Sequence, residues 1–485
     1  MSFQSLGFPV FLAAAVAVCR LWRGPGVRRG GGDAGYGAAD VLPPVLCSLV
    51  FYCMGCRRVW DLLPILAGMA VTWFAAQRPP AAACRRRWVF ALAAAWHIAV
   101  LLAYKYAAFF TGGRISPASV PLGLSFFTFQ QLWLLREVYT GAFTLEREAW
   151  GGYALYTLFF PTVTSGPILK PQGFFAQLRD GLPRADGADF AAGLYAISRG
   201  YGKKVLLADS LGTVVSNGWA MGDGLTAPAA WVVILGYSLQ LYLDFSGYCD
   251  IAAGCARLLG FRLPVNFNAP YRALSVGEFW KRWHMTLTAF LRECVYIPLG
   301  GSRRGQWRTY GNILLVYLIS GFWHGAGWTF LAWGLLHGAA QVAERLWGPA
   351  RERLPRWLQW ALTFLFVNLA WVFFQAPGFA AAGGLLRAAV FGGGGLPLET
   401  LAAGVLDSEA TALRTLLPAA AKWTPGLLLA ALFGAGLAVS LRRRSVTDRM
   451  EDFRPRPLGA AVCGAVLAWA VLSFSSTASF IYSSF

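Results

Sequence analysis

Long apolar runs follow one another from one end of this chain to the other. Runs of about 16 to 24 residues recur through all 485 residues, and only 13% of the residues are charged, against about 25% in an average soluble protein. About 20 apolar residues in helical form cross a hydrocarbon core of ~30 Å. Because these runs leave too few polar helix faces for a soluble bundle, the sequence predicts an all-α polytopic membrane protein.

The charges that remain are mostly basic and stand in short loops. The formal net charge of +19 comes from 42 Lys and Arg against 23 Asp and Glu. Basic loops follow the first span (7–22), separate the third and fourth spans (78–87), and separate the last two (442–456). The positive-inside rule places these loops in the cytoplasm, so we expect both termini outside the cell membrane. Anionic lipid, and not nucleic acid, is then the expected contact of the basic residues.

The nine cysteines do not form a recognisable framework. Most lie inside apolar runs, which is typical of small buried side chains and not of disulfides. The single C-x-x-C pair, Cys53 and Cys56, has no second pair and no nearby histidine. We therefore predict no metal site.

Two segments between the spans carry polar or helix-breaking residues. Gln130, Gln131 and Glu137 lie in a predicted helix at 121–141 and must face protein or water, because lipid cannot satisfy them. The apolar segment 155–171 is interrupted by prolines and a glycine, which predicts a re-entrant or interfacial piece. The remaining spans are predicted at 41–56, 61–76, 88–110, 187–218, 226–246, 357–375, 380–391, 423–441 and 457–475.

The stretch 236–338 concentrates the chemistry of the chain. Three of the four histidines lie there, among carboxylates, amides and basic residues packed between apolar runs. Polar and ionisable groups are costly within a membrane and usually mark function. We therefore expect the functional site in this stretch. The fourth histidine, His97, lies in the span 88–110 and is predicted to be a packing residue.

Helical periodicity places His284 at the border of two faces. Projected as one continuous helix, 277–292 has an apolar stripe opposite a polar one. That pattern predicts a helix at an interface or lining a cavity, with a plain amphipathic surface helix as the alternative.

His324 stands in SGFWHGAGWTF, where nothing else ionises and glycines permit close backbone approach. An apolar setting favours the neutral imidazole, so His324 could act as a base, or it could be a hydrogen-bonded structural residue. His337 lies 13 positions further on, about 220° around an unbroken helix, and is predicted to be structural. Phosphate-loop, dinucleotide and G-x-S-x-G motifs are absent, and the spacing alone identifies no reaction.

Several motifs together resemble one known family. DFSGYCDIAAG, LPVNFNAPYRALSVGEFWKRWH and SGFWHGAGWTF resemble the membrane-bound O-acyltransferase (MBOAT) family, and most of all its alginate O-acetyltransferase branch. PLGLSFFTFQQ, FFPTVTSGPI, GKKVLLAD and the terminal FIYSSF resemble the same branch, so the similarity runs from about residue 40 to the end. The segment YIPLGG (296–301) favours this branch over D-alanyl transfer to teichoic acid. Glu137 and Gln375 depart from the pattern, where Asp and Arg are usual.

The resemblance implies a fold and an activity. It implies about 10–12 transmembrane helices, with re-entrant or interfacial helices, around a central funnel or tunnel. We expect one domain, 1–485, with N-terminal spans (1–120), a catalytic core (121–347), and C-terminal spans with a tail (348–485). The implied enzyme is an O-acyltransferase, with acetyl as the expected acyl group, that moves this group from a cytoplasmic thioester to the outer face for O-acylation of a cell-surface polysaccharide. The donor is acetyl-CoA or another thioester, with no bound cofactor and no metal, and an esterase-like or transferase-like partner or the glycan itself receives the acyl group.

The resemblance also assigns roles to residues. His324 matches the family's invariant histidine, which activates the acceptor hydroxyl, and His284 matches its second active-site polar residue. Tyr482, in FIYSSF, is either a transient acyl carrier or an interfacial aromatic anchor. The candidates for binding donor phosphates, each of which could instead serve topology or lipid contact, are Lys203, Lys204, Lys281, Arg282, Arg303 and Arg304.

Two other classes compete with the enzyme. A polytopic transporter or flippase could use the histidines as a proton relay, and a membrane scaffold could have lost its activity. The paired histidines and the lack of an internal repeat argue against the transporter, and the intact histidine pair argues against the scaffold. The final acceptor stays open among alginate-like, cellulose-like, peptidoglycan and other glycans.

Overall fold

The computed structural model describes residues 3–22, 38–77, 83–117, 119–179 and 184–474, and these form helices and connecting turns with no β-strand among them. The all-α prediction is confirmed. The α-helices are α1 (Gly7–Trp22), α2 (Ala38–Gly55), α3 (Leu63–Gln77), α4 (Ala83–Leu101), α5 (Ala107–Phe110), α6 (Leu124–Thr140), α7 (Trp150–Leu158), α8 (Pro171–Ala176), α9 (Gly187–Tyr201), α10 (Asp209–Ala220), α11 (Ala227–Leu258), α12 (Val276–Arg282), α13 (Met285–Leu291), α14 (Gln306–His324), α15 (Trp328–Glu352), α16 (Arg356–Gln375), α17 (Phe379–Phe391), α18 (Leu398–Ala402), α19 (Asp407–Leu416), α20 (Thr424–Ser440), α21 (Val446–Glu451) and α22 (Pro457–Leu472).

Several of these helices suit a membrane. Within the described ranges, five helical stretches are long and apolar enough to span one: Val59–Gln77, Arg85–Phe110, Ala227–Leu258, Arg356–Gln375 and Pro418–Ser440. The shorter apolar helices α1, α2, α17 and α22 add to them. The predicted spans agree with these helices to within a few residues, except that α11 continues 12 residues beyond the predicted end at 246. The division into parts at 120 and 347 stays a prediction.

The long helix α11 forms the centre of the fold. In its apolar stretch of 18 residues, 78% is buried inside the protein. It packs against α9, α10, α16, α17 and α20. Glycines allow the α9–α11 contact to close: a Cβ on Gly200 would lie 2.6 Å from the carbonyl oxygen of Gly247, and one on Gly254 would lie 2.6 Å from that of Gly193. Small residues of this kind let helix backbones approach each other inside a membrane.

A second close contact joins α14 to α15 and positions the candidate site. The two helices form a hairpin, and a Cβ on Gly334 would lie 2.3 Å from the carbonyl oxygen of Tyr317. A Cβ on Gly321 would lie 2.4 Å from that of Phe330. The turn between the helices holds Gly325, Ala326 and Gly327, so His324 is the last residue of α14 and stands where the chain reverses.

The polar residues predicted to avoid lipid are buried in protein contacts. The amide of Gln130 donates to the carbonyl oxygen of Tyr156 at 2.6 Å, and the hydroxyl of Tyr153 donates to the side-chain oxygen of Gln131 at 2.7 Å. The segment beyond α7 leaves the helical conformation from Phe159 onward and stays buried. Both the buried polar helix and the broken apolar segment are therefore confirmed.

Candidate active site

His324 lies in a box of aromatic rings at the end of α14. Its side chain is almost fully buried, and its ring centroid lies 4.6 Å from Trp323, 5.2 Å from Trp333 and 5.1 Å from Phe374. The glycine after it is required by this packing, since a Cβ on Gly325 would lie 2.2 Å from the ring of Phe330. The sequence prediction of an apolar, glycine-lined histidine is confirmed.

His284 lies at a break between two helices, and the predicted continuous helix over 277–292 is wrong. The chain leaves α12 after Arg282, and His284 adopts a left-handed conformation with φ of 44° before α13 begins. Asn266 makes the break possible. Its carbonyl oxygen accepts from the backbone N–H of Met285 at 2.9 Å, and its side-chain oxygen accepts from that of Thr286 at 3.2 Å. These are two of the N-terminal N–H groups of α13 that have no partner within the helix.

The same Asn266 fixes the imidazole of His284. Its side-chain oxygen lies 3.2 Å from Nδ1 of His284 and 2.9 Å from the hydroxyl of Thr286. Because the backbone N–H of Thr286 can only donate, this atom of Asn266 must be the acceptor, and Nδ1 of His284 must carry a hydrogen. The neutral ring then holds its lone pair on Nε2, the form that can accept a proton. His284 is completely buried, so the alternative of a plain surface helix is also wrong at this position.

The two histidines come together around Trp323. The centroid of the Trp323 ring lies 6.4 Å from that of His284 and 4.6 Å from that of His324. Phe126 packs against both His284 and Trp323, at 6.3 and 5.8 Å. The fold thus unites two residues that are 40 positions apart in the sequence.

The other two histidines have partners that suit packing roles. Nδ1 of His337 accepts from the indole nitrogen of Trp280 at 3.1 Å, and its ring lies 5.1 Å from Trp333. The predicted angle of 220° between His324 and His337 does not apply, because the helix is broken between them. Nε2 of His97 lies 2.8 Å from the hydroxyl of Thr72 on α3.

A cavity of about 650 Å³ has Trp323 of the aromatic box in its wall, and two smaller cavities lie nearby. The first, about 260 Å³, lies beside α12, α13 and α14, with Trp280, Tyr317 and Ser320 in its wall. Three exposed cations also line it: Lys281, Arg292 and Arg345. The second, about 430 Å³, lies beyond the end of α14. Its lining includes backbone from 326–327 together with Tyr237, Gln240, Thr329, Phe374 and Gln375.

Trp333 packs against one wall residue of each of these two cavities. Its ring lies 5.7 Å from Trp280, which lines the first cavity, and 5.0 Å from Phe374, which lines the second. His324 contacts both Trp333 and Phe374. Along the chain, His324 follows the α14 residues that line the first cavity and precedes the turn that lines the second.

Comparisons with known proteins agree with this arrangement. A sequence profile of MBOAT, the membrane-bound O-acyltransferase family, matches residues 152–381. The peptidoglycan O-acetyltransferase of Helicobacter pylori is 38% identical over 392 residues, which cover 71% of this chain and 73% of that protein. The chain belongs to the membrane-bound O-acyltransferase family.

Other relatives place the acyltransferase within the family. The probable alginate O-acetylase of Pseudomonas aeruginosa is 35% identical over 357 residues, which cover 70% of this chain and 67% of the relative. The teichoic acid D-alanyltransferase of Streptococcus thermophilus is 28% identical over 240 residues, 47% of this chain and 57% of the relative. The resemblance to the O-acetylating branch is confirmed, as is the prediction of an O-acyltransferase, and the apolar helices make it a multi-pass membrane protein.

The acyltransferase holds Lys203 and Lys204 in internal ion pairs. The ammonium of Lys203 lies 2.6 Å from Asp250, and that of Lys204 lies 2.7 Å from Asp244 and 2.5 Å from Asp209. A donor phosphate could bind either ammonium only by displacing a carboxylate. The structure therefore favours a role in joining α11 to its neighbours over the predicted donor contact.

The remaining predicted cations differ in whether other groups of the protein already bind them. Arg282 donates to Glu278 at 2.7 Å and to the carbonyl oxygen of Asn268 at 3.2 Å. Partial burial acts to raise the pKa of Glu278, but hydrogen bonds from the backbone of Leu274 and from Arg282 outweigh it and lower that pKa. Glu278 therefore stays ionised and holds Arg282. Lys281 is exposed and lines the first cavity, while Arg303 and Arg304 are exposed in the turn before α14.

Sequence reasoning missed Arg292 and Arg345, which face the same cavity as Lys281. No spacing rule relates these three positions, so only the fold brings them together. Tyr482 and the rest of FIYSSF lie outside the described residues, as do residues 78–82 of the predicted basic loop. Of the two departures from the family pattern, Glu137 pairs with Arg136 at 2.5 Å, whereas Gln375 lines the second cavity next to Phe374.

Proposed function

We propose that this enzyme transfers an acetyl group from cytoplasmic acetyl-CoA to the outer face of the cell membrane, for O-acetylation of a cell-surface polysaccharide. The names of the two O-acetylating relatives support the acetyl group and the glycan acceptor. The basic loops support an orientation with both termini outside. We also propose that the whole chain acts as one domain, with the catalytic part at 121–347.

One observation carries the proposal: the rings of His284 and His324 both pack against Trp323, near a cavity lined by three exposed cations and a second cavity with polar groups in its wall. A thioester and a hydroxyl brought to the two histidines from different sides would meet without bulk water. Holding reactants in this way supplies a large part of the rate enhancement in acyl transfer.

The chemical step needs one base and no metal. His324 takes the proton of the acceptor hydroxyl while the oxygen attacks the thioester carbonyl, so that a C–O bond forms. The C–S bond then breaks, and the thiolate of CoA leaves with the proton from the imidazolium. His284, held by Asn266, orients or polarises the reacting groups through Nε2. General base catalysis of this kind typically contributes about 10²–10⁴ in rate.

The donor side is the first cavity. Lys281, Arg292 and Arg345 stand at its mouth, where they would attract the phosphates of CoA, with Arg303 and Arg304 in the adjoining loop. Ser320 lies deeper, one turn before His324 on α14. The acyl chain of the donor would then point along α14 toward the histidine.

The acceptor side is the second cavity. At about 430 Å³ it can hold one sugar ring or one aromatic side chain, but not a length of polysaccharide. A small carrier group would therefore take the acyl group first and pass it to an esterase-like or transferase-like partner outside. Tyr482 is our candidate. Tyr482 is eight positions after Phe474, the last described residue, and a chain of that length reaches about 26–29 Å when extended.

The test uses purified enzyme in liposomes with acetyl-labelled CoA. We expect time-dependent release of CoA, with label recovered on the enzyme at Tyr482 by mass spectrometry. A transporter would release no CoA, so intact thioester would refute the acyltransferase mechanism. Tyr482→Phe keeps an aromatic anchor and removes the nucleophile. If this variant O-acetylates glycan normally in cells, the tyrosine carrier is refuted and the glycan or partner takes the acyl group directly.

A further inference from the structure

The carbonyl groups at the end of α14 are bound by side chains from another helix. The ammonium of Lys105 lies 2.5 Å from the carbonyl oxygen of Trp323, the residue just before His324. The hydroxyl of Tyr106 donates to the same oxygen at 3.0 Å and lies 2.9 Å from that of Phe322. Two consecutive residues of one helix therefore bind two consecutive carbonyls of another, more than 200 positions away in the sequence.

A lysine in this position needs an explanation. Lys105 lies within the apolar span Arg85–Phe110, where a cation is costly. Lys203 and Lys204 neutralise carboxylates, but Lys105 binds the C-terminal end of a helix, where carbonyl dipoles leave partial negative charge. The last four carbonyls of an α-helix lack hydrogen-bond donors within it, so Lys105 and Tyr106 supply donors that the helix itself does not provide.

The local geometry of the span favours this double contact. Lys105 and Tyr106 belong to a π-helical turn, Leu102–Tyr106, inserted between α4 and α5. Such wide turns recur at functional sites because they redirect side chains within a helix. The ring of Tyr106 also stacks on that of Phe322 with centroids 4.3 Å apart, and the Lys105 ammonium lies 5.4 Å from the ring centroid of Trp323.

The contact made by Lys105 and Tyr106 lies next to two groups of the proposed site, the ring of Trp323 and His324. The Trp323 ring packs against both His284 and His324, and the Trp323 carbonyl belongs to the peptide bond that leads into His324. A rotation or fraying of the last turn of α14 would move both rings. Because α14 ends at His324 and the chain turns at 325–327, no further helical turn donates to or holds these last carbonyls.

We propose that Lys105 and Tyr106 are positioning residues for the reaction, which hold the last turn of α14 so that His324 meets the reacting groups. This inference rests on the proposed role of His324 as the base. Neither residue needs to touch the substrate. Their effect should therefore appear in kcat and not in the KM for the donor.

The experiment compares four variants of the purified enzyme in liposomes. Lys105→Met keeps most of the apolar stem and removes the charge and hydrogen bonds, Lys105→Arg restores a cation, and Tyr106→Phe removes only the hydroxyl. Thr72→Val is the matched control, because it removes the buried contact with His97 on the neighbouring α3 and α4 without touching α14. For each we would measure kcat, the KM for acetyl-CoA and the thermal midpoint.

We expect Lys105→Met to lower kcat about 10–100-fold with little change in KM, because a displacement of about 1 Å at a reacting group can cost 10²-fold. Tyr106→Phe should lower kcat less, and Lys105→Arg should recover most of the loss. Thr72→Val should lower the thermal midpoint without a comparable loss of kcat. The proposal is overturned if Lys105→Met lowers kcat no more than Thr72→Val does, or if its effect lies in KM.

A double variant separates this inference from the proposed function. If Lys105 acts through His324, Lys105→Met should cause no further loss in a His324→Ala background, since the two changes then share one pathway. Full additivity would refute the positioning role. If His324→Ala itself stays active, the proposed base is wrong, whatever Lys105 does.

Discussion

His284 and His337 are both fully buried among aromatic rings, yet their partners prepare them for different tasks. Nδ1 of His284 donates to the side-chain oxygen of Asn266, which leaves the lone pair of the neutral ring on Nε2. Nδ1 of His337 faces the indole N–H of Trp280, which can only donate, so His337 must accept there and carry its hydrogen on Nε2.

This difference shows that burial alone does not distinguish a catalytic histidine from a structural one. The partner that fixes one ring nitrogen determines what the other can do. The neutral ring of His284, which packs against Trp323, has its proton acceptor at Nε2. The region around His337 presents a hydrogen-bond donor within the aromatic cluster and braces Trp280, which lines the first cavity. We infer that the first region serves the chemical step and the second supports donor binding.

The largest expected effect comes from His324, which lies between the two regions. His324→Ala should reduce acetyl transfer by about 10²–10⁴, the usual contribution of a general base. Expression and folding should stay near normal, because the posited role is chemical and not packing. CoA release by purified enzyme checks this. A variant that keeps more than a tenth of the wild-type rate would show that another residue is the base.

The next largest effect should come from removing Nε2 of His284, its proton acceptor. His284→Asn keeps a donor at the δ position for Asn266 but removes Nε2, whereas His284→Ala removes both. We expect Asn to lower kcat severely, by about 10²-fold, at the lower end of general-base contributions. The Ala variant should add a loss of stability, seen as a lower thermal midpoint. Near-normal kcat in the Asn variant would show that the reaction does not need Nε2 of His284. The proposed difference in role between His284 and His337 would then be wrong.

The sequence predicted much of this architecture but not the break at His284. Helix positions followed from apolar length, and the polar residues of α6 followed from the cost of placing them in lipid. The break depends on Asn266, which lies 18 residues earlier and replaces the hydrogen bonds that a continuous helix would have made. Periodicity over 277–292 contains no trace of that contact. The helical projection therefore placed His284 at the border of an apolar and a polar face, whereas its side chain is completely buried.

The ion pairs of Lys203 and Lys204 show the opposite case, in which the sequence did contain a signal. Asp244 and Asp250 interrupt an otherwise apolar helix, and carboxylates buried in a membrane require partners. Pairing them with the nearest buried cations would have predicted the observed contacts. The cluster of Lys281, Arg292 and Arg345 had no comparable signal, because exposed cations are common near membrane surfaces.

A smaller effect should come from the donor side. Reversing Lys281 and Arg345 to Glu should raise the KM for acetyl-CoA several-fold while kcat changes little, because exposed charges attract phosphates at a distance from the reacting atoms. The effect should shrink as salt concentration rises. Arg303→Glu with Arg304→Glu is the comparison pair: these residues lie in the adjoining loop and do not line the cavity, so their reversal should raise the KM less. An unchanged KM in the variant of Lys281 and Arg345 would leave these cations with a topological or lipid role only.

The smallest expected effect on activity concerns His337. His337→Asn places an amide oxygen where Nδ1 stood and can still accept from Trp280, so both kcat and the thermal midpoint should stay close to wild type. His337→Leu leaves the buried indole N–H without that acceptor, which typically costs about 1–3 kcal/mol in stability. Its kcat, measured below the thermal midpoint, should fall no more than about twofold if His337 takes no part in proton transfer. A severe loss of kcat in the Asn variant, with stability retained, would show that Nε2–H of His337 contributes to the reaction. His337 would then be a catalytic residue like His284, and the distinction drawn between them would be wrong.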